Sequence, residues 1–139
     1  MNGVDSSILV YALDPETKEH ETARDVVLSL QVLAVNPTVV HEVYHTLVFK
    51  RGMIPRDAKS KVKAIVGDRR TRFFNITRSI SLYSLDMASE FNMGGRDALI
   101  VGCYAANGVD SVLTHDTGLL ALGKVSFKGR QVSFRDPLA

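Results

Sequence analysis

The sequence predicts an α/β fold, a parallel sheet with helices packed on both of its faces. Two observations carry this. Short apolar runs alternate along the chain with stretches whose apolar residues recur every three and four positions, the pattern of strand–helix–strand crossovers. The chain has 139 residues, 45% of them hydrophobic. That length suits one domain over residues 1–139 and buries about two-thirds of the surface an unfolded chain exposes.

The elements follow in order. Val4–Tyr11 is short, apolar and bounded by Gly3 and Pro15, which predicts a buried strand. Thr17–Leu30 reads as a helix, with Ala23, Val26, Val27 and Leu30 on one face and Glu16 and Glu19 near its N-terminus. Val32–Val35 is a second strand. Asn36-Pro37 supplies an N-cap and a first-turn proline. Val39, Val40, Val43, Tyr44, Leu47 and Val48 then form one stripe that Gly52 ends. Pro55 opens a helix that turns Ala58, Val62, Ile65 and Val66 inward. Phe73–Ile76 reads as a strand and Arg78–Phe91 as a helix. After Gly94-Gly95, Asp97–Ala106 is a helix closed by Asn107-Gly108. Ser111–Thr114 is a strand, Gly118–Leu122 a short helix and Gln131–Phe134 a last strand.

Composition narrows the function. One cysteine, Cys103, rules out an internal disulfide and argues against a cysteine zinc site. It lies among apolar helix residues, as a buried small hydrophobe does. No basic and apolar leader opens the chain, and no apolar run nears the ~20 residues that span a bilayer, so a cytoplasmic protein is expected. Net charge is +2, from 17 Lys and Arg against 15 Asp and Glu. The basic residues cluster: Lys50, Arg51, Arg56, Lys59, Lys61, Lys63, Arg69, Arg70 and Arg72 face only Asp57 and Asp68 in that stretch. Such a stretch is either a surface for a polyanion or an ordinary solvated helix face.

The informative residues are four acids far apart in sequence: Asp5, Glu42, Asp97 and Asp116. In parallel sheets ligands collect beyond the carboxyl ends of the strands. Asp5 and Asp116 sit on or just after strands, so the fold can bring them together. Two carboxylates about 5 Å apart repel by roughly 3 kcal/mol at an effective dielectric of about 20. A cluster of them must take up protons or bind a hard cation such as Mg²⁺ or Mn²⁺. Each acid also has a plainer reading. Asp5 lies within the predicted first strand, where a charge costs several kcal/mol unless paired or coordinated; the alternative is a cap at the strand edge. Asp97 and Asp116 can serve as helix N-caps. Glu42 falls roughly 150° from the centre of its helix's apolar stripe, which points it to solvent. His41, Glu42 and His45 have the spacing of a zinc-hydrolase motif but lack its glycine turn and third ligand. His115, beside a turn, reads as a surface residue.

Four blocks together resemble the PIN domain family, and within it VapC-type toxin ribonucleases: Val4-Asp5-Ser6-Ser7-Ile8-Leu9, Pro37-Thr38-Val39-Val40-His41-Glu42-Val43, Arg96-Asp97-Ala98-Leu99-Ile100-Val101 and Val112-Leu113-Thr114-His115-Asp116. The resemblance covers nearly the whole chain. It implies a three-layer α/β/α sandwich around a central parallel sheet and Mg²⁺- or Mn²⁺-dependent hydrolysis of RNA. It implies catalytic roles for Asp5, Glu42, Asp97 and Asp116, metal ligation by Asp5, Asp97 and Asp116, and support from Ser7 and Thr114. It also implies a homodimer and a small VapB-like antitoxin, for whose contacts Tyr44 and Ile54 are candidates. Many relatives carry a further acid where this chain has Gly118, which leaves a second metal one ligand short.

Under this reading a metal-bound water attacks phosphorus, Glu42 takes its proton or holds a second ion, and Arg96, by adjacency, offsets the surplus of negative charge. The resemblance also accommodates a housekeeping RNA-processing nuclease. Two other classes stay open. A phosphotransfer enzyme with Asp5 as nucleophile would want an aspartate where Ser7 stands. A non-catalytic interaction module would have no need of the acids.

Overall fold

A computed structural model describes all residues, Met1–Ala139. Fourteen elements follow in order: β1 (Asn2–Val4), α1 (Ser6–Leu13), α2 (His20–Ser29), β2 (Leu33–Val35), α3 (Pro37–His45) with a π-helical turn (Thr46–Lys50), α4 (Pro55–Gly67), β3 (Thr71–Phe73), α5 (Arg78–Phe91), α6 (Gly95–Ala106), β4 (Ser111–Leu113), α7 (Thr117–Leu122), β5 (Lys124–Phe127) and β6 (Arg130–Arg135). The sheet order is β3-β2-β1-β4-β6-β5. Every pairing is parallel except β5 with β6.

This topology positions the site. From β1 the chain steps outward to β2 and β3, then returns past β1 to β4. Right-handed crossovers in opposite directions put α1–α4 on one face of the sheet and α5–α6 on the other. The strand order therefore reverses between β1 and β4, the place where parallel sheets open a crevice at their carboxyl ends.

The predicted first strand is corrected. Only Asn2–Val4 is strand, and Ser6–Leu13 is helix. Asp5 is the hinge: its N–H donates to Leu113 O at 2.9 Å, ending the ladder. Its side chain accepts from Ser6 N and caps α1. An apolar run with both faces covered has no period that distinguishes helix from strand, and Ile8, Leu9, Val10 and Ala12 are all buried. Asp97 is likewise not an N-cap. Gly94 holds that position, and Asp97 lies in the first turn of α6. Strand β3 comes earlier than expected, at Thr71–Phe73, in register with Leu33–Val35. Strand β5 was not foreseen. It forms a hairpin with β6 through Lys128-Gly129, both at positive φ (49° and 78°), the backbone of a type I′ turn without its usual asparagine. The helix Arg78–Phe91 has the expected bounds.

Two close approaches fix the packing. A Cβ on Gly3 would lie 2.8 Å from the ring of Tyr104. That ring is fully buried, and its hydroxyl is shared between Val4 O (2.7 Å) and Ala34 O (3.0 Å). Tyr104 thus ties α6 to β1 and β2. A Cβ on Gly102 would lie 2.2 Å from Ser84 Oγ, so α5 and α6 meet at a glycine. Asn36, fully buried, caps α3 through Val39 N and donates to Ile100 O at 3.3 Å, joining α3 to α6.

Candidate active site

The crevice between β1 and β4 gathers the acids. Asp5 is 4% exposed. Its Oδ1 accepts from Ser6 N at 2.8 Å and its Oδ2 from Thr114 Oγ1 at 2.7 Å. Thr114, itself fully buried, accepts in turn from Asp116 N at 3.0 Å. One hydroxyl therefore orients the residues that follow both strands. Asp116 caps α7, accepting from Leu119 N at 2.9 Å. The cap reading of Asp116 holds, and its exposed carboxylate still reaches the crevice electrostatically, since it raises the pKa of Asp97.

Glu42 does not face solvent. Helix α3 packs against α1, α4 and α6, so the side opposite its apolar stripe is covered too. Glu42 Oε1 accepts a short hydrogen bond from Ser6 Oγ. Its Oε2 lies 2.7 Å from Arg96 Nε, but the N–H is not aimed at it. That oxygen is buried and accepts no hydrogen bond, so the contact is an ion pair without hydrogen-bond alignment. Sequence adjacency pointed to Arg96; its pairing with Glu42 was not legible.

Burial and mutual repulsion act on these groups. Asp5 is pushed up from 3.8 to about 6, chiefly by burial, against the lowering effect of the Thr114 and Ser6 hydrogen bonds; the charges of Glu42 and Asp97 add to the rise. Asp97 is also raised, first by burial, then by Asp116 and Glu42, with Arg96 opposing. Perturbed carboxyls in one cleft mark a candidate functional site.

The fit to a divalent ion is chemical. The donors are all oxygen, the acids outnumber the one basic partner, and Glu42 Oε2 is a buried oxygen without a donor. These are the preferences of Mg²⁺ or Mn²⁺. As oriented, the side chains are not drawn into a ready cage of three or more ligands. His41 and His45 are exposed, and the His45 ring packs tilted against Phe49 with centroids 5.0 Å apart.

Several supports were missed by sequence reading. Ser6 holds Glu42, whereas the expected support Ser7 accepts from His115 N at 3.1 Å. His115 Nδ1 lies 2.8 Å from Asp136 Oδ2, so this surface histidine anchors the C-terminal segment. Buried Asp14 pairs with Arg51 Nε at 2.7 Å. Nothing in the spacing of these residues announces such contacts. Of the basic stretch, Arg51 and Arg70 are engaged, the latter with Asp68. Cys103 is buried, and burial pushes its thiol up to about 11, an inert state.

The PIN domain family model matches residues 4–125. The chain belongs to the PIN domain family. Three solved structures show the same fold. Mycobacterium tuberculosis VapC20, described as a sarcin–ricin-loop-cleaving toxin, superposes with a TM-score of 0.77 at 19% identity, over 91% of this chain and 98% of its own. VapBC2 from Rickettsia felis, bound to a DNA fragment from its promoter, gives 0.67 at 13% identity, covering 97% of each chain. FitAcB from Neisseria gonorrhoeae gives 0.63 at 15% identity, over 99% of this PIN domain and 98% of that chain. No curated protein matches the sequence.

Proposed function

We propose that this PIN domain is a divalent-metal-dependent ribonuclease, the toxin of a VapBC-type toxin–antitoxin pair. The observation that carries the reading is the gathering of Asp5, Glu42, Asp97 and Asp116 at one crevice, with Thr114 bridging Asp5 and Asp116. The structural kinship with VapC20, a toxin that cleaves the sarcin–ricin loop, supports the substrate class.

Asp5, Asp97 and Asp116 are the residues to hold a Mg²⁺ or Mn²⁺ ion. Once bound, such an ion lowers the pKa of a coordinated water and offsets phosphate charge. The chain's own groups do the rest. Thr114 and Ser6 N fix the rotamer of Asp5. The N-terminal turn of α6 favours the ionised form of Asp97. Glu42, held by Ser6, is placed to accept a proton from the attacking water. Arg96, 68% exposed, neutralises Glu42 and presents positive charge at the crevice mouth.

The partner reading rests on surfaces. Val40, Tyr44, Val62 and Val66 line an apolar groove of about 510 Å³ between α3 and α4, and Ile54 is 61% exposed. These suit an antitoxin segment or a second copy of the chain. No helix is long and apolar enough to cross a membrane.

Cleavage of a labelled RNA in Mn²⁺ tests the function. Asp5→Asn and Asp97→Asn should each abolish it while leaving the circular dichroism spectrum unchanged. Undiminished cutting by either variant would refute the proposal.

A further inference from the structure

A second cleft adjoins the acids and has the opposite character. It holds about 400 Å³, and Ser6, Ser7, Tyr11, Thr46, Lys50 and Arg51 are among the residues that line it. No acidic residue lines it. Ser6 is shared with the active site, since its hydroxyl holds Glu42. Thr46 and Lys50 bound the π-helical turn Thr46–Lys50, closed by Arg51 N donating to Thr46 O at 2.9 Å. Such turns occur frequently at functional positions. Glu42, Thr46 and Lys50 succeed one another at intervals of four, so one side of this helix runs from the acid cluster into the cleft.

The cationic groups here keep donors to spare. Lys50 is exposed and belongs to none of the ion pairs. Arg51 spends only its Nε on buried Asp14, which fixes the guanidinium and leaves both Nη groups for an anion. Phe49, next to Lys50 in sequence but outside the cleft lining, is 72% exposed and packs against His45.

We infer that this cleft is the subsite for the nucleotide next to the scissile bond, with Lys50 and Arg51 on its phosphate and the exposed ring of Phe49, just outside the cleft, under its base. Cationic groups along the backbone with an aromatic face for the base are how single-stranded nucleic acids are held. The inference rests on the ribonuclease reading and deepens it. It explains how a polyanion settles beside a negative pit: attraction at the neighbouring phosphate offsets repulsion at the acids.

The test uses fluorescence anisotropy of a labelled single-stranded RNA of about eight nucleotides, within the range of such sites. The parent protein is the full chain carrying Asp97→Asn, which prevents turnover. Adding Lys50→Ala should weaken binding roughly tenfold and lower the salt slope by about 0.7. Adding Phe49→Ala should also weaken it about tenfold, with the salt slope unchanged. In the otherwise native protein both changes should raise KM and spare kcat. Arg51 is left intact, because its removal would strand buried Asp14.

Parent-like affinity in both variants overturns the subsite, and native cleavage then still stands by itself. Weakened binding in both, with no cleavage by the native protein, leaves the cleft a single-stranded RNA site but removes the nuclease reading, and with it a place beside a scissile bond. A parent that binds no RNA overturns the subsite, whatever the native protein cuts. Inorganic phosphate displacing the RNA at constant ionic strength would mark a free-anion site instead and overturn it. So would a change in sedimentation by Phe49→Ala with RNA affinity intact, since Phe49 would then serve a contact between copies of the chain.

Discussion

Thr114 donates to Asp5 at 2.7 Å, a buried hydroxyl on a buried carboxylate across the gap between β1 and β4. The bond locks the rotamer of Asp5 and opposes the burial that pushes its pKa up. Thr114→Val keeps the shape and deletes the donor. Stability should fall by about 1–3 kcal/mol and RNA cleavage by at least tenfold. Denaturant unfolding and single-turnover cleavage measure both. An active, fully stable valine variant would remove Thr114 from the site.

The pH dependence of stability follows from Asp5. Its folded-state pKa is raised from 3.8 to about 6, so between those values the folded protein holds a proton that the unfolded chain has lost. This contribution is complete below about pH 4 and disappears as pH rises through about 6. The shift corresponds to roughly 3 kcal/mol at most. With chelator present, Asp5→Asn should be more stable than wild type at pH 7 and similar at pH 4, by thermal or urea unfolding. Asp14 works the other way: burial pushes its pKa up, but Arg51 and the Glu16 N–H outweigh it and hold the carboxyl below its usual value, so its contribution is lost in acid. Equal stabilities at pH 7 would contradict the assignment for Asp5.

Arg96 pairs with Glu42 and opposes the raised pKa of Asp97. Because its side chain is 68% exposed, solvent screens it, and Arg96→Gln should cost under about 1 kcal/mol in stability. Its effect should show instead as an acid limb of the cleavage–pH profile moved to higher pH. An unmoved limb would place Arg96 outside the electrostatics of the site.

The helix contact at Gly102 is a packing prediction. Gly102→Ala drives a methyl to within 2.2 Å of Ser84 Oγ and should destabilise by about 1–3 kcal/mol. Ser84→Gly in the same chain should recover most of the loss, read by urea midpoints.

Much of this was legible in the chain. Asn36-Pro37 announced the start of α3, and Asn107-Gly108 the end of α6, because caps and turns are local chemistry. The order of the four acids pointed to a single crevice because strand ends converge in parallel sheets. Position on the helical wheel misplaced Glu42, since a wheel records one apolar stripe and α3 is covered on two sides. The stretch Ile8-Leu9-Val10 misled because full burial erases periodicity. Ser6, rather than Ser7, supports Glu42, a choice made by the start of α1 one residue after the strand. The hairpin at Lys128-Gly129 lacked the residues that advertise its turn.

Calorimetric titration with Mn²⁺ addresses the central claim most directly. The wild-type protein should bind with saturable heat, and Asp5→Asn, Asp97→Asn and Asp116→Asn should each weaken binding at least tenfold. Indistinguishable isotherms for wild type and all three variants would show that these carboxylates share no ion.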